Sequence, residues 1–343
     1  MTQQGTSVVQ RVRRSGIVIP FAVLFTVLSF ASGPFATKVN LVNLLDQQSS
    51  VLIIACAGTL VFVAGGLDLS VGAVYALSAV VSARLALHGD IVFALIVGLL
   101  VGVLIGLVNG IIVAVLEINA LISTLAMSFV VSGVAALMTS GNSITLYSRP
   151  AYGDVAQTMI LTVPSSVWIL AAVACVLGAV LWATAFGRYV YAVGGNPNAA
   201  RLAGLRVTRV RIATFMISGA AAALGGLIDS SRVLSAQASN GGQALTFTVI
   251  AGIVVGGTSI LGGEGAIWRS VLGVLLLALI GNGYNLLGLD PLYQQVTLGV
   301  LILVSVGVEG FGRVAQRWNL ASMRQRLVWQ TPAVPERTGR SMR

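Results

Sequence analysis

Charged residues are scarce in this chain. Of its 343 residues only 9% are charged, whereas 57% are hydrophobic, and the mean hydropathy is +0.95. A soluble domain carries about a quarter of its residues as charges in order to cover its surface. The composition therefore excludes a soluble enzyme, a nucleic-acid-binding module and a disordered chain, and it predicts a membrane protein.

Lysine and histidine are almost absent. Lys38 is the only lysine, and no spaced glycines surround it as a nucleotide-binding P-loop requires, so the chain does not hydrolyse a nucleotide by that mechanism. His88 is the only histidine, which excludes a His-rich metal site and a Ser-His-Asp triad at membrane depth. We expect no catalytic residue, no cofactor and no metal.

Apolar runs fill most of the chain. A hydrocarbon core of about 30 Å needs roughly 17 to 25 residues, and ten candidate segments are found at 17–33, 50–64, 71–87, 91–116, 121–140, 164–185, 212–228, 245–261, 266–287 and 291–308. The predicted fold is all-α, a polytopic membrane protein with about ten transmembrane helices, some broken or re-entrant at glycine-rich motifs. We expect a transmembrane domain at 17–308, a cytoplasmic N-terminal segment at 1–16 and a basic cytoplasmic tail at 309–343.

Arginine blocks predict the orientation. Three arginines precede the first segment, five occupy the loop 186–211, and seven lie between Arg313 and Arg343. Because short cytoplasmic loops retain Lys and Arg, we expect all three blocks to be cytoplasmic. Ten crossings place both termini and loop 186–211 on one side, in agreement with the charges. The longest loop of the other side, 141–163, is polar and rich in turn residues.

The first segment has a second interpretation. Arginines, an apolar core and the small residues 31–33 resemble a cleavable signal peptide, but Pro34 follows directly and disfavours cleavage there. We interpret the segment as a retained helix.

Asp68 stands in the glycine-rich break 65–72, with sequence GGLDLSVG, at predicted membrane depth. An ionisable group in lipid costs at least about 2.5 kcal/mol, and irregular backbone there is buried in protein or lines a cavity. The alternative is a turn at the cytoplasmic surface in which Asp68, near Ser70, caps the third helix. A second glycine-rich break at 256–265 resembles the first, although its position supports an internal repeat only weakly.

Other polar side chains lie within the apolar runs. Amides and hydroxyls both donate and accept hydrogen bonds, which suits a neutral polyhydroxylated solute. Hydrogen bonding between helices is the alternative for each of them. Together with the first break they give the candidates for a translocation path: Asp68, Ser70, Asn109, Thr124, Asn282 and Asn285.

The loop 186–211 is predicted to contain a short helix. Asn196-Pro197 is a helix-start signal, good helix formers follow, and Gly204 is a stop signal. A helix of about two turns is unstable alone, so we expect it to dock on a partner or to lie on anionic lipid.

These motifs resemble the sugar-type permeases of bacterial ATP-binding-cassette importers, the group of the ribose, xylose and galactose permeases. The resemblance spans nearly the whole chain. It is carried by GGLDLSVG, the loop 186–205, and the stretches 122–126 (ISTLA), 256–259 (GGTS), 262–263 (GG) and 282–288 (NGYNLLG).

The resemblance implies a permease subunit that imports a monosaccharide or related small polar solute and is not itself an enzyme. It implies as partners a second permease subunit, separate cytoplasmic ATPase subunits and an extracytoplasmic binding protein, in the bacterial inner membrane. By the same resemblance the ATPase-coupling residues are Asn198, Ala199, Ala200, Arg201, Leu202, Ala203 and Gly204.

The chain departs from the family pattern at two places. Asn198 replaces the usual Glu of the coupling segment, and Thr246-Phe247-Thr248 replaces an acidic Glu-Leu-Asp. These departures leave the solute open. The alternatives are a permease for branched-chain amino acids or nucleosides, and an ion-coupled secondary transporter.

Overall fold

The computed structural model describes residues 16–307 except 291, 302, 305 and 306. Residues 1–15 of the predicted N-terminal segment and the predicted tail 309–343 lie outside the described residues. The helices are α1 (Val18–Ala31), α2 (Lys38–Val63), α3 (Val71–His88), α4 (Ile91–Ala114), α5 (Ala120–Thr139), α6 (Asp154–Gln157), α7 (Ser165–Ala183), α8 (Ala185–Gly195), α9 (Pro197–Leu202), α10 (Val207–Val233), α11 (Gly242–Val255) and α12 (Ile267–Leu286). Residues 292–301 are also helical.

Seven helices among the described residues are long and apolar enough to span a membrane, namely α2, α3, α4, α5, α7, α10 and α12. The apolar helices α1 and α11 are shorter, at 14 residues each. All ten predicted segments overlap a helix, which confirms a polytopic helical membrane protein. The start of the second segment was predicted wrongly, because α2 begins at Lys38 and not near residue 50.

The fold is all-helical as predicted, and a few short strands accompany the helices. Two antiparallel pairs of two-residue strands occur: β1 (Ile144–Thr145) with β4 (Ser235–Ala236), and β2 (Met159–Ile160) with β3 (Val163–Pro164). They belong to the predicted polar loop 141–163 and to the turn after α10. The β1–β4 pair connects the loop to the segment that follows α10, whereas β2 and β3 pair with each other near the end of the loop. The strands form no separate layer.

The core is centred on α10, which packs against α2, α3 and α4. Glycines bring α4 and α10 together. A Cβ on Gly102 would lie 2.3 Å from the carbonyl oxygen of Gly219, and one on Gly106 would lie 2.4 Å from that of Phe215. Small residues at these positions allow the two backbones to touch, as in other membrane bundles.

The bundle has two distinct ends. At the first, α9, the end of α2 and the second break meet, and Arg201 lies 3.9 Å from Glu117. We call this the α9 end. At the other, Lys38 donates to Thr162 and Arg149 donates to the carbonyl of Gly89. We call this the loop end, since it carries the segment 141–163.

Candidate functional site

The short helix α9 forms as predicted. The side chain of Asn196 accepts hydrogen bonds from the backbone N–H groups of Asn198 and Ala199, at 3.1 and 3.0 Å. At the other end Gly204 has φ +83°, and the Leu205 N–H donates to the carbonyl of Ala200 at 3.0 Å. A side-chain cap and a glycine with positive φ define both ends of the helix.

α9 presents one small side chain to the protein and the rest to the outside. Ala200 is buried among Leu60, Val63, Val193 and Val207. The remaining predicted coupling residues are exposed, and Leu202 is 90% exposed: Asn198, Ala199, Arg201, Leu202, Ala203 and Gly204. An apolar side chain on a short, capped surface helix is suited to contact with another protein.

The two glycine-rich breaks meet beside α9. The Gly263 N–H donates to the carbonyl of Val63 at 2.9 Å, and a Cβ on Gly262 would lie 2.8 Å from the Cα of Gly65. Gly194, near the end of α8, fits between them, because a Cβ there would lie 1.7 Å from the Val63 oxygen. We call this contact of residues 63–65, 194–195 and 262–263 the glycine junction.

Tyr191 adds a side-chain link to the glycine junction. From α8 its hydroxyl donates to the carbonyl of Gly265 at 2.8 Å. Burial raises the pKa of Tyr191, and the nearby positive charge of Arg269 opposes that shift. The hydroxyl is therefore protonated at neutral pH and available as a donor.

Asp68 is the centre of a buried hydrogen-bond network. One carboxylate oxygen accepts from the backbone N–H and hydroxyl of Ser70, at 3.0 and 2.6 Å, and the other accepts from Ser218 at 2.8 Å. The amide of Asn109 donates to Ser70 at 2.8 Å. The structure thus brings three predicted residues together and adds Ser218, which sequence reasoning missed because it is distant in the chain.

The location of Asp68 bears on the two sequence interpretations, a buried position at membrane depth and a turn at the cytoplasmic surface. Asp68 accepts from the backbone N–H of Ser70, the residue before α3, but it does not cap the first turn of α3, and it is only 6% exposed. Ser218 lies 11 residues into α10, which corresponds to about 16 Å along the helix. Asp68 therefore lies within the bundle and not at a surface. Thr124 of α5, fully buried, accepts from the Leu69 N–H at 3.0 Å and fixes the same segment.

Asn282 and Asn285 lie elsewhere, toward the loop end of α12. Asn282 exchanges two hydrogen bonds with Asn40, at 3.1 and 2.9 Å. Both asparagines line a cavity of about 280 Å³ together with further amides of α2. The predicted path residues thus form two groups: the Asp68 network and this cavity.

An ion-pair network at the loop end was not predicted. Arg232 donates to the backbone carbonyl of Asp46 at 2.6 Å, and it pairs with the carboxylate of Asp229. Ser166 donates to the Asp46 carboxylate. Arg232 lies beyond the predicted segment 212–228, whereas in the structure it is in the last turn of α10 and its side chain is 19% exposed. Only the fold brings α2, α7 and α10 together here.

A bundle of apolar helices with two joined breaks, buried polar networks and a separate short surface helix is the architecture of a polytopic membrane protein. The comparisons agree with this class. The family described as branched-chain amino acid transport system / permease component matches residues 40–306. The chain therefore belongs to the permease family of binding-protein-dependent, sugar-type ATP-binding-cassette importers, as the motifs predicted, and it is a permease subunit and not an enzyme.

Curated relatives are similar over most of their length. The chain is 38% identical over 299 residues to the ribose import permease protein of Bacillus subtilis (strain 168), covering 86% of this chain and 92% of the relative. It is 37% identical over 298 residues to the ribose import permease protein of Escherichia coli (strain K12), covering 85% and 92%. It is 36% identical over 308 residues to the L-arabinose transport system permease protein of the same strain, covering 88% and 92%. No solved structure matches the chain significantly.

Proposed function

We propose that this protein is the membrane subunit of an ATP-driven importer that moves a monosaccharide across the bacterial inner membrane. It works with a second permease subunit, either a copy of itself or a paralogue, with cytoplasmic ATPase subunits, and with an extracytoplasmic binding protein. Membrane lipid surrounds its apolar outer helices, and nucleic acid is not a partner.

The observation that carries the proposal is the geometry of α9. Its caps stabilise a six-residue helix that would be unstable alone, and it packs against α8 and α10 with Ala200 buried. The exposed Leu202 then provides an apolar contact for the ATPase. Asn198, at the position of the usual family Glu, is exposed but neutral, so packing and backbone contacts carry the docking.

The arginine distribution supports the orientation. Arg188, Arg206 and Arg209 join Arg201 and Arg211 at the α9 end. Because cytoplasmic loops retain arginine, the α9 end faces the cytoplasm and the loop end faces outward. Ten crossings then place both chain termini in the cytoplasm. Segment 141–163 faces the binding protein.

The names of the relatives favour a sugar as the solute. Ribose and arabinose permeases match at 36–38% identity over most of the chain. The description of the matching family names branched-chain amino acids, which makes an amino-acid permease the second candidate. For either solute we place the first break beside the translocation path, where it is held by Asp68, Ser70, Asn109 and Thr124. Asn282 and Asn285 line the path.

The test uses Leu202→Asp in the full importer, co-expressed with the ATPase and binding protein encoded beside the permease. Burying a leucine side chain contributes about 1.5–3 kcal/mol. We therefore expect the variant to retain about tenfold less ATPase during purification, or less still, and to lose ATP-driven uptake of D-ribose or L-arabinose into vesicles.

Leu161→Asp is the matched control, because Leu161 is 81% exposed at the loop end. It should retain the ATPase at the wild-type level. Equal ATPase retention by Leu202→Asp and wild type would overturn the docking role of α9. Uptake driven by an ion gradient without any ATPase would instead identify a secondary transporter.

A further inference from the structure

A cavity of about 280 Å³ lies between α2, α12 and the helical residues 292–301, toward the loop end. Seven of its ten lining residues carry a carboxamide, and within the described part of the chain no lining residue is charged. Polar side chains in membrane helices are costly unless they find hydrogen-bond partners. A concentration of amides at one place therefore requires an explanation.

The amides arise from matching stripes on two helices. On α2, Asn40, Asn43 and Gln47 recur at spacings of three and four residues, and Gln48 adjoins them. Residues at such spacings share one face of a helix. On α12, Asn282 and Asn285 have the same spacing and face the first stripe across the cavity.

The third wall of the cavity includes Gln294. It approaches α12 at Gly281, where a Cβ would lie 2.9 Å from the Gln294 amide nitrogen. The absence of a side chain at Gly281 leaves room for this amide beside α12. Together these residues form the carboxamide site: Asn40, Asn43, Gln47, Gln48, Asn282, Asn285 and Gln294.

Only one pair in the carboxamide site is satisfied by the protein. Asn40 and Asn282 bond to each other, and Asn40 also donates to the carbonyl of Phe35 at 2.8 Å. Within the described residues the other five side chains make no hydrogen bond to protein. Each offers two N–H donors and a carbonyl acceptor, and their polar atoms are accessible from the cavity and not sealed in the core.

We propose that the carboxamide site binds a neutral polyhydroxylated solute of monosaccharide size. Hydroxyl groups both donate and accept, so they match a ring of amides at every position. A zwitterionic amino acid would leave its carboxylate and ammonium groups without counter-charges in an uncharged, partly buried site, which is costly. The volume is close to the lower limit for small-molecule sites, about 300 Å³.

This inference rests on the proposed import function and adds the residues that contact the solute. At the loop end the site faces the side from which a binding protein delivers solute. Its lining comes from three helices of one chain, and Asn43, Gln47 and Asn285 are exposed, so the site opens to the surface of the subunit.

The experiment measures saturation-transfer NMR signals from millimolar D-ribose, L-arabinose and leucine with the purified full-length permease in nanodiscs. We compare wild type with Gln47→Met/Gln48→Met, which removes two unpaired amides and keeps their size. Asn285→Leu tests the other wall independently, so that a folding defect of one variant leaves the other informative. Gln295→Met is the matched control, because Gln295 is exposed and does not line the cavity.

We expect sugar signals with wild type and with Gln295→Met. Each lost hydrogen bond to a neutral hydroxyl should weaken binding about fivefold, so the double variant should lose most of the sugar signal. Equal signals from all variants, or signals from leucine alone, would overturn the proposal. A shift of the double variant from dimer to monomer in light scattering would show instead that a second copy covers these amides.

The two experiments distinguish a wrong carboxamide site from a wrong importer assignment. ATPase retention that depends on Leu202, combined with no sugar signal, would overturn the carboxamide site alone. A sugar signal that depends on Gln47 and Gln48, without any ATPase retention, would overturn the importer and leave the site.

Discussion

The backbone N–H of Gly263 donates a hydrogen bond to the carbonyl of Val63 at 2.9 Å, and so joins the two glycine-rich breaks. Gly194, at the end of the helix that precedes α9, is packed against both partners of this bond. A displacement of α9 and the preceding helix would therefore reach both breaks through backbone contacts. The glycine junction thus connects α8 and the following α9 to the helices on either side of each break.

Gly194→Ala tests the glycine junction. A Cβ at position 194 would lie 1.7 Å from the Val63 oxygen and 2.7 Å from the Gly263 nitrogen, both backbone atoms that cannot rotate away. Overpacking of this kind costs about 1–3 kcal/mol. We expect a lower melting temperature in detergent and reduced ATP-driven uptake.

Gly195→Ala is the adjacent control, since a Cβ there has no neighbour within 4 Å. Alanine is favoured over glycine inside a helix by about 0.5–1 kcal/mol, so this variant should be as stable as wild type or slightly more stable. Identical melting and uptake for the two variants would contradict the close packing at Gly194.

Ser218→Ala tests the Asp68 network. The Ser218 hydroxyl is the donor to one carboxylate oxygen of Asp68, and its loss leaves that oxygen without this partner inside the bundle. Hydrogen bonds to charged groups contribute about 1.5–3 kcal/mol. We expect destabilisation of that size, measured by thermal or denaturant unfolding in micelles.

Ser50→Ala gives the comparison. The Ser50 hydroxyl is also buried, but it has no hydrogen-bond partner among the described residues. Removing an unsatisfied buried hydroxyl should be neutral or stabilising. If both variants lose the same stability, the effect comes from the lost oxygen atoms and not from the bond to Asp68.

Local signals predicted α9 well. Asn196, Pro197 and Gly204 are start and stop residues whose effect depends only on their neighbours in the chain, and the helix was found within a residue of its predicted position.

Polar residues within α2 misled the prediction. The polar residues Asn43, Asp46, Gln47 and Gln48 interrupt the apolar pattern, and the second segment was predicted to start only at residue 50. Their spacing of three and four residues was the helical signal that could have corrected it. The partners of these residues, Asn282 and Arg232, follow only from long-range packing, which a single sequence does not specify.

Arg232→Gln tests the ion-pair network at the loop end. Arg232 pairs with Asp229 and lies 3.9 Å from the Asp46 carboxylate, with all three side chains 18–20% exposed. Removing the cation leaves two carboxylates near each other in a partly buried site. We expect a loss of stability on the order of 1–3 kcal/mol, after allowance for partial solvent screening.

The double variant Arg232→Gln/Asp229→Asn provides the check, because it removes one of the two uncompensated charges. It should recover part of the stability lost by Arg232→Gln, and the unfolding measurements form a double-mutant cycle. Strictly additive effects of the two substitutions would show that Arg232 and Asp229 do not interact.

Tyr152 links the loop 141–163 to the bundle and predicts a pH dependence. Its side chain is fully buried, and its hydroxyl lies 3.1 Å from that of Ser82 and 3.0 Å from that of Ser230. Burial raises the pKa of Tyr152 above its usual value of 10.0, and the two serine hydrogen bonds oppose this shift only in part. The folded protein therefore holds this proton more tightly than the unfolded chain.

The sign of the effect follows from proton linkage. Where the folded pKa is higher, the unfolded state releases its proton first, so the contribution of Tyr152 to stability is complete below about pH 10 and is lost as the pH rises toward the folded pKa.

Tyr152→Phe removes this dependence. At pH 7 the variant should be about 1 kcal/mol less stable, because two serine hydroxyls lose a partner. Above pH 10 the difference from wild type should shrink. Melting temperatures between pH 7 and pH 11 test this, with Tyr147→Phe as control because Tyr147 is 72% exposed. A difference between Tyr152→Phe and wild type that stays constant over the whole range would show that the Tyr152 proton is not linked to folding.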